Sequence, residues 1–146
     1  MWLAPIAAVL ALAAGEPGCS DAEVNGLVSQ FVGAFNTGSP RRLKSVWSQR
    51  LFRWYSATAP ERHSVVYTRR GFLAYAARRH RQHETLMLLT FKFNGYSSGH
   101  GHFEYALKRR ADDLNGGDAA RYYGKGAAYC AGTPHKLVVW SMGYEN

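Results

Sequence analysis

The sequence predicts an α+β domain, with three N-terminal helices packed on a mainly antiparallel sheet. Three observations predict it. The first part of the chain places apolar residues at helical spacing between recognisable caps. The last third changes period, alternating apolar and polar residues in runs of roughly ten joined by short turns. The composition fits one domain with a true core: 146 residues, 47% hydrophobic, 14% aromatic and only 19% charged. That balance excludes a disordered chain, and two cysteines exclude a disulfide miniprotein.

Each element has its own signal. Ser20 and Glu23 have the S-x-x-E spacing of a capping box, and Val24, Leu27, Val28, Phe31 and Phe35 then form one apolar stripe. Asn36-Thr37-Gly38 ends that helix. Ser39-Pro40 starts the next at once, with Leu43, Val46 and Trp47 as its apolar face and Arg41, Arg42 and Lys44 looking outward. Leu51 to Ala57 and His63 to Tyr67 read as a short hairpin turning at residues 59–62. Thr68 caps a third helix that runs to about Arg81, with Phe72, Tyr75 and Ala76 turned inward.

Four longer strands follow. Glu84 to Asn94 is expected to carry Met87, Leu89, Phe91 and Phe93 on one face. Gly101 to Ala111 sets Phe103, Tyr105 and Leu107 against His102, Glu104, Lys108 and Arg110. A loop at Asn115-Gly116-Gly117 precedes Arg121 to Cys130, and Gly132-Thr133-Pro134 leads to His135 to Tyr144. No internal repeat or low-complexity tract interrupts the order α-α-β-β-α-β-β-β-β.

The N-terminus reads as a leader. Trp2 to Ala14 carries no charge and is shorter than the ~20 residues a spanning helix needs. Ala11-Leu12-Ala13 has the A-x-A form of a cleavage site. No Lys or Arg precedes the run, and a buried helix is the competing reading; Pro5 and the missing polar face count against it. The expected organisation is therefore a signal peptide over residues 1–13, a linker over 14–20 and a single domain over 21–146, exported to the periplasm or the outside. In an oxidising compartment Cys19 and Cys130 can pair, the alternative being two independent thiols. Glu16-Pro17-Gly18 departs from the pattern before a lipid-modified cysteine, so anchoring at Cys19 is disfavoured.

Phe31 to Gly38 with Leu43 and Trp47, then Phe52-Arg53-Trp54, then Tyr67 to Phe72 with Tyr75, and finally four long strands, resemble the nuclear transport factor 2-like superfamily. The likeness covers about residues 21 to 144. It implies a cone-shaped fold in which a curved sheet wraps around helices. The superfamily also holds ketosteroid isomerase and the SnoaL-like cyclases beside many non-catalytic modules, so it constrains function weakly. It implies an interior lined by Trp54, Tyr67, Tyr75, Phe91, Phe93, Phe103 and Tyr105, with Tyr123 and Trp140 as further candidates whose strands carry large residues on both parities. Such rings can fill the cone or hold a small apolar ligand by one or two hydroxyls. It also implies dimerisation over the outer sheet face, watched at Leu86, Leu88, His102 and Glu104.

Signals of chemistry are sparse. The enzymes of this superfamily use an inward Asp, Glu or His as base. Among ten carboxylates only Glu84 and Glu104 lie in long strands; Glu104 has outward parity and Glu84 stands at a strand start. His63, His80 and Glu104 remain as catalytic candidates. His100 and His102 could share a metal from one strand face, although Gly99 and Gly101 make that segment partly a turn. No cofactor is expected, because Gly124-Lys125-Gly126 lacks phosphate-loop spacing and no C-x-x-C pair occurs. Arg78, Arg79 and Arg81 form the densest basic run, suited to an anionic membrane or cell-wall surface, or simply to the negative end of a helix. Export argues against nucleic acid. The sequence thus supports a non-catalytic domain binding a small apolar ligand or a partner over its sheet, with an isomerase, dehydratase or cyclase as the alternative.

Overall fold

The computed structural model describes residues 18–59 and 62–144; the side chains of Ala59, Arg62 and His63 are not described. The expected leader lies outside the described residues, as do Pro60, Glu61 and the C-terminal pair. The elements are α1 (Asp21–Thr37), α2 (Pro40–Val46), β1 (Trp54–Ala59), β2 (Arg62–Val66), α3 (Arg69–Arg81), β3 (Thr85–Ser97), β4 (His100–Arg110), β5 (Ala120–Tyr129) and β6 (Lys136–Tyr144), with a short 3-10 turn at Asn115–Gly117.

The helix caps form as their sequences dictate. Ser20, Ser39 and Thr68 each accept a hydrogen bond from the backbone N–H three residues on, that of Glu23, Arg42 and Gly71. Gly38 closes α1 in the left-handed region at φ 66°. Only half of the expected capping box exists, because the Glu23 carboxylate turns instead to His135 Nδ1, 2.7 Å away.

The six strands form one sheet in the order β2-β1-β6-β5-β4-β3. All neighbours are antiparallel except β1 and β6, which run parallel with Trp54 opposite Val139. The helices cover one face. Phe31 is central to that layer: it packs edge-on to Trp47 and Trp140 and touches Phe72, all four with no exposed surface. Burying such rings supplies most of the driving force, roughly 1.5–3 kcal/mol for each large side chain.

Edge strand β3 is tied to α1 by one side chain. Asn36 donates from Nδ2 to the Leu86 carbonyl and accepts at Oδ1 from the Leu86 N–H, both at 2.8 Å. Its amide acts as a short extra strand and satisfies backbone groups that β4 does not reach.

The facing of β3 differs from expectation. Leu89 is an extra residue where the β3–β4 register shifts between Leu88 and Thr90. Before that bulge Met87 is exposed and Leu86 and Leu88 face the core; after it Phe91 and Phe93 face the core. Met87 and Phe91 thus lie on opposite faces despite sharing parity. Leu86, expected on the outer face, is buried for the same reason.

A disulfide joins Cys19 to Cys130 across 111 residues of sequence, with a Cα–Cα distance of 5.4 Å. It pins the start of α1 to the end of β5. No helix among the described residues is long and apolar enough to cross a membrane.

Candidate functional site

The interior of the cone is built from strand parity. On β4, Phe103, Tyr105, Leu107 and Arg109 share one face, and Arg109 is only 2% exposed. A cation held there needs a buried anion. Glu84, the residue before β3, supplies it and is itself 1% exposed. Arg109 Nε donates to Glu84 Oε1 at 2.7 Å and its Nη2 to Oε2 at 3.2 Å. Arg79, from the last turn of α3, donates through Nε to Glu84 Oε2. The remaining guanidinium nitrogens of Arg79 grip Asp113 in a two-point contact at 2.8 and 2.6 Å. Arg109 also donates to the Thr58 carbonyl and the Tyr75 hydroxyl, at 3.1 and 3.3 Å.

This lock joins α3, β1, β3 and β4 at one end of the cone. Burial alone would lower the pKa of both arginines. For Arg79 the Asp113 hydrogen bond and the Glu84 charge outweigh burial, and for Arg109 the Glu84 charge and hydrogen bond do so; both are raised above an ordinary guanidinium. The Arg79 hydrogen bond holds the Asp113 carboxyl below its ordinary range. Burial raises the phenols of Tyr75 and Tyr122, and raises those of Tyr55 and Tyr105 furthest.

Rings pack beside the lock. Tyr105 stacks on Trp140 at 4.0 Å between centroids, and Phe103 lies beside both. Two glycines make this possible. Gly126 and Gly124 stand directly opposite Phe103 and Tyr105, and a Cβ on either would collide with the facing ring and with a backbone carbonyl of β6. The Gly124-Lys125-Gly126 segment is therefore relief for two aromatic rings. Tyr105 completes the fit by donating its hydroxyl to the Ser141 carbonyl at 2.8 Å. The hydroxyls of Tyr55 and Tyr122 and the indole N–H groups of Trp47 and Trp140 are buried with no hydrogen-bond partner among the described residues. Each would cost about 1–3 kcal/mol unless a water or a ligand meets it.

The candidates from sequence divide as follows. Tyr75, Phe103, Tyr105 and Trp140 are buried together, and Phe91 and Phe93 pack against them half-buried. Trp54 and Tyr67 face solvent, which corrects their expected inward facing, and Tyr123, whose parity the sequence left open, also faces solvent. Trp54 points away from its inward neighbour Tyr55, and Tyr67 stands in the turn before α3. Tyr123 points out while its neighbour Tyr122 fills the interior. His80 is exposed, lying over Gly38 at the end of α1, away from the cone. His63 lies on β2, and its side chain is outside the description. Glu104 faces outward beside Lys125 at 3.5 Å. His100 and His102 stand 6.3 Å apart by ring centre, and the His100 ring turns to the Ser98 carbonyl.

One group of metal-ligand type, Cys19, Glu23 and His135, occurs among the described residues, but its cysteine is bonded to Cys130. Of the basic run, Arg78 and Arg81 are exposed, whereas Arg79 is drawn into the lock and does not belong to a surface that could meet an anionic partner.

Sequence reasoning missed Glu84 and Arg109. A signal for Arg109 exists: it continues the parity of Phe103, Tyr105 and Leu107. A lone cation in an inward series implies a buried carboxylate, although parity cannot say which one.

With six strands curved over three helices, comparison with known structures decides the architecture. A cystatin-like-fold protein of Caulobacter vibrioides superimposes with a TM-score of 0.69 at 12% identity, over 84% of this chain and 87% of that one. A Streptomyces avermitilis protein of the nuclear transport factor 2-like family, described as a proposed dehydratase, gives 0.65 at 13% identity, over 85% and 95%. A Salmonella enterica protein of that superfamily gives 0.61 at 12%, over 86% and 90%. The chain has the nuclear transport factor 2-like fold. No family model matches the sequence, and no curated protein matches it. At these identities the fold is shared and activity is not carried with it.

Proposed function

We propose that this chain is an exported, non-catalytic domain that docks a second copy of itself over the outer face of its sheet. One observation carries the reading. Stacked rings pack the interior beside Trp140, while five large apolar side chains left exposed on the strands project from the opposite face. Met87, Leu89 and Tyr123 gather on the β3–β5 side, and Trp54 and Val65 on the β1–β2 side. The small residues Ala106, Ser141 and Gly143 between them would let a flat partner approach. Leu86 is buried and takes no part in that face. The Cys19–Cys130 bridge is compatible with export.

Glu84 supports the non-catalytic side. It is the buried carboxylate among the described residues, and both its oxygens accept from guanidinium groups, so its charge is engaged in the lock rather than held open to a substrate. Sedimentation equilibrium of the secreted protein is expected to give twice the chain mass. Met87→Glu combined with Tyr123→Glu is expected to give monomer with an unchanged circular dichroism spectrum. A monomer at every concentration tested overturns the reading.

The unpartnered hydroxyls of Tyr55 and Tyr122 favour a second reading, a small hydrogen-bonding ligand or substrate admitted beside Arg109. Native mass spectrometry of protein purified from its source would then show an added mass that denaturation removes.

A further inference from the structure

We propose that the hollow between α2 and the start of α3 is a binding site for a phosphate-ester group. It has a volume of about 430 Å3, within the range of small-ligand sites, and is lined by Lys44, Gln49, Thr68, Arg69, Arg70 and Leu73. Three cations thus surround one concavity, and among the described residues no carboxylate lines it. None of the three takes part in an ion pair among the described residues, although salt bridges occupy Arg79, Arg109 and Lys125 elsewhere.

The site is organised before any ligand arrives. Arg69 donates from Nη1 to the Lys44 carbonyl at 3.3 Å and from Nη2 to Gln49 Oε1 at 3.0 Å. Its guanidinium therefore clamps α2 to α3 and fixes one positive charge at the wall of the hollow, balanced by neutral acceptors only. Lys44 and Arg70 are exposed beside it, with their charged ends available. Holding three cations around one hollow is unfavourable unless an anion shares the space. The Thr68 hydroxyl accepts from the Gly71 N–H, which leaves its own O–H as a donor at the wall of the hollow.

The charge distribution of the chain points the same way. Residues 24–83 contain eleven Lys and Arg but a single acid, Glu61, so the excess charge of the molecule resides in this stretch. The acids instead gather at the start of α1 and near the β4–β5 loop. A tetrahedral phosphate presents several oxygens to an ammonium and two guanidiniums at once, which a carboxylate with two oxygens does not. Half-buried Leu73 gives the organic part of the ester an apolar contact. The basic run at the far end of α3, in contrast, has lost Arg79 to the buried lock. The phosphate could belong to a lipid headgroup or to a soluble ester.

Two arms separate those sources. In the first, 15N-labelled protein is titrated with inorganic phosphate against chloride at matched ionic strength. Amide shifts are expected to concentrate at Lys44, Gln49, Arg69 and Arg70. In the second, the protein is co-sedimented with phosphatidylglycerol vesicles and with phosphatidylcholine vesicles. K44E/R70E is compared with R78E/R81E, which changes the charge equally on exposed positions at the other end of α3. K44E/R70E is expected to weaken binding at least ~10-fold and R78E/R81E less than ~3-fold. Localised phosphate shifts without vesicle binding assign a soluble ester. Vesicle binding lost in K44E/R70E alone assigns a headgroup. Absent or dispersed phosphate shifts, together with equal losses in the two variants, overturn the site and leave only non-specific attraction by net charge. Circular dichroism of both variants checks that each is folded.

Discussion

At the scale of single residues, Glu84 and Asp113 carry different electrostatic loads. Glu84 is buried between two guanidiniums, so removing its charge leaves Arg109 without its counter-ion in the interior. Glu84→Gln is expected to cost about 3–5 kcal/mol in urea unfolding, the usual penalty for breaking a buried pair from one side. Asp113 is partly exposed and its pKa is depressed by Arg79. A depressed carboxylate stabilises the fold above its unfolded pKa, and that stability is lost as pH falls through the lower folded value. Asp113→Asn is therefore expected to be less stable than wild type near neutrality, with the gap closing below about pH 4. Thermal melts across pH read both effects, and a gap that stays constant in acid would show that Asp113 acts through shape alone.

At the scale of elements, β5 and β3 show how side chains shape a strand. β5 depends on glycine. Gly124 and Gly126 leave the inner face of the strand bare so that the rings of Tyr105 and Phe103 can lie across it. Gly124→Ala places a methyl group against both a backbone carbonyl and the Tyr105 ring. The expected loss is about 1–3 kcal/mol, the range for overpacking, together with a changed near-ultraviolet spectrum as Tyr105 and Trp140 part. Gly143 meets nothing as close, so Gly143→Ala serves as the mild control. β3 makes a different point. Its alternation is visible in the sequence, yet one bulged residue inverts the facing from Thr90 to Phe93, until a second register shift before Gly95 restores it.

At the scale of the whole molecule, the disulfide ties the start of the described fold to the connection between β5 and β6. It joins the residue before the α1 cap to the residue after β5 and closes a loop of 111 residues. Removing such a link from the unfolded chain releases about 4–5 kcal/mol of loop-closure entropy. The Cys19→Ser/Cys130→Ser double variant is expected to unfold at clearly lower denaturant and with a steeper slope, because the unfolded chain without the link exposes more surface, which urea titration measures. A midpoint equal to wild type would mean that the helices and the sheet already hold the termini together.

The resemblance to a known superfamily implied the cone, and what the sequence determined by itself was the order and type of the elements and the three helix caps. These rest on local physics: a serine or threonine three residues before an open N–H, an apolar stripe of period 3.6, an alternation of period 2. Tertiary structure alone decided which side of each strand is inside and which charge is buried. The resemblance implied interior rings at Trp54 and Tyr67, yet Trp54, like Tyr123, is exposed because its neighbour takes the inner parity, and Tyr67 is exposed because it stands in the turn before α3. Arg79 reads as one more surface cation beside Arg78 and Arg81 until Glu84 and Asp113 arrive from distant parts of the chain. Burial of a charge depends on a partner brought close by folding, and no spacing along the chain encodes that meeting.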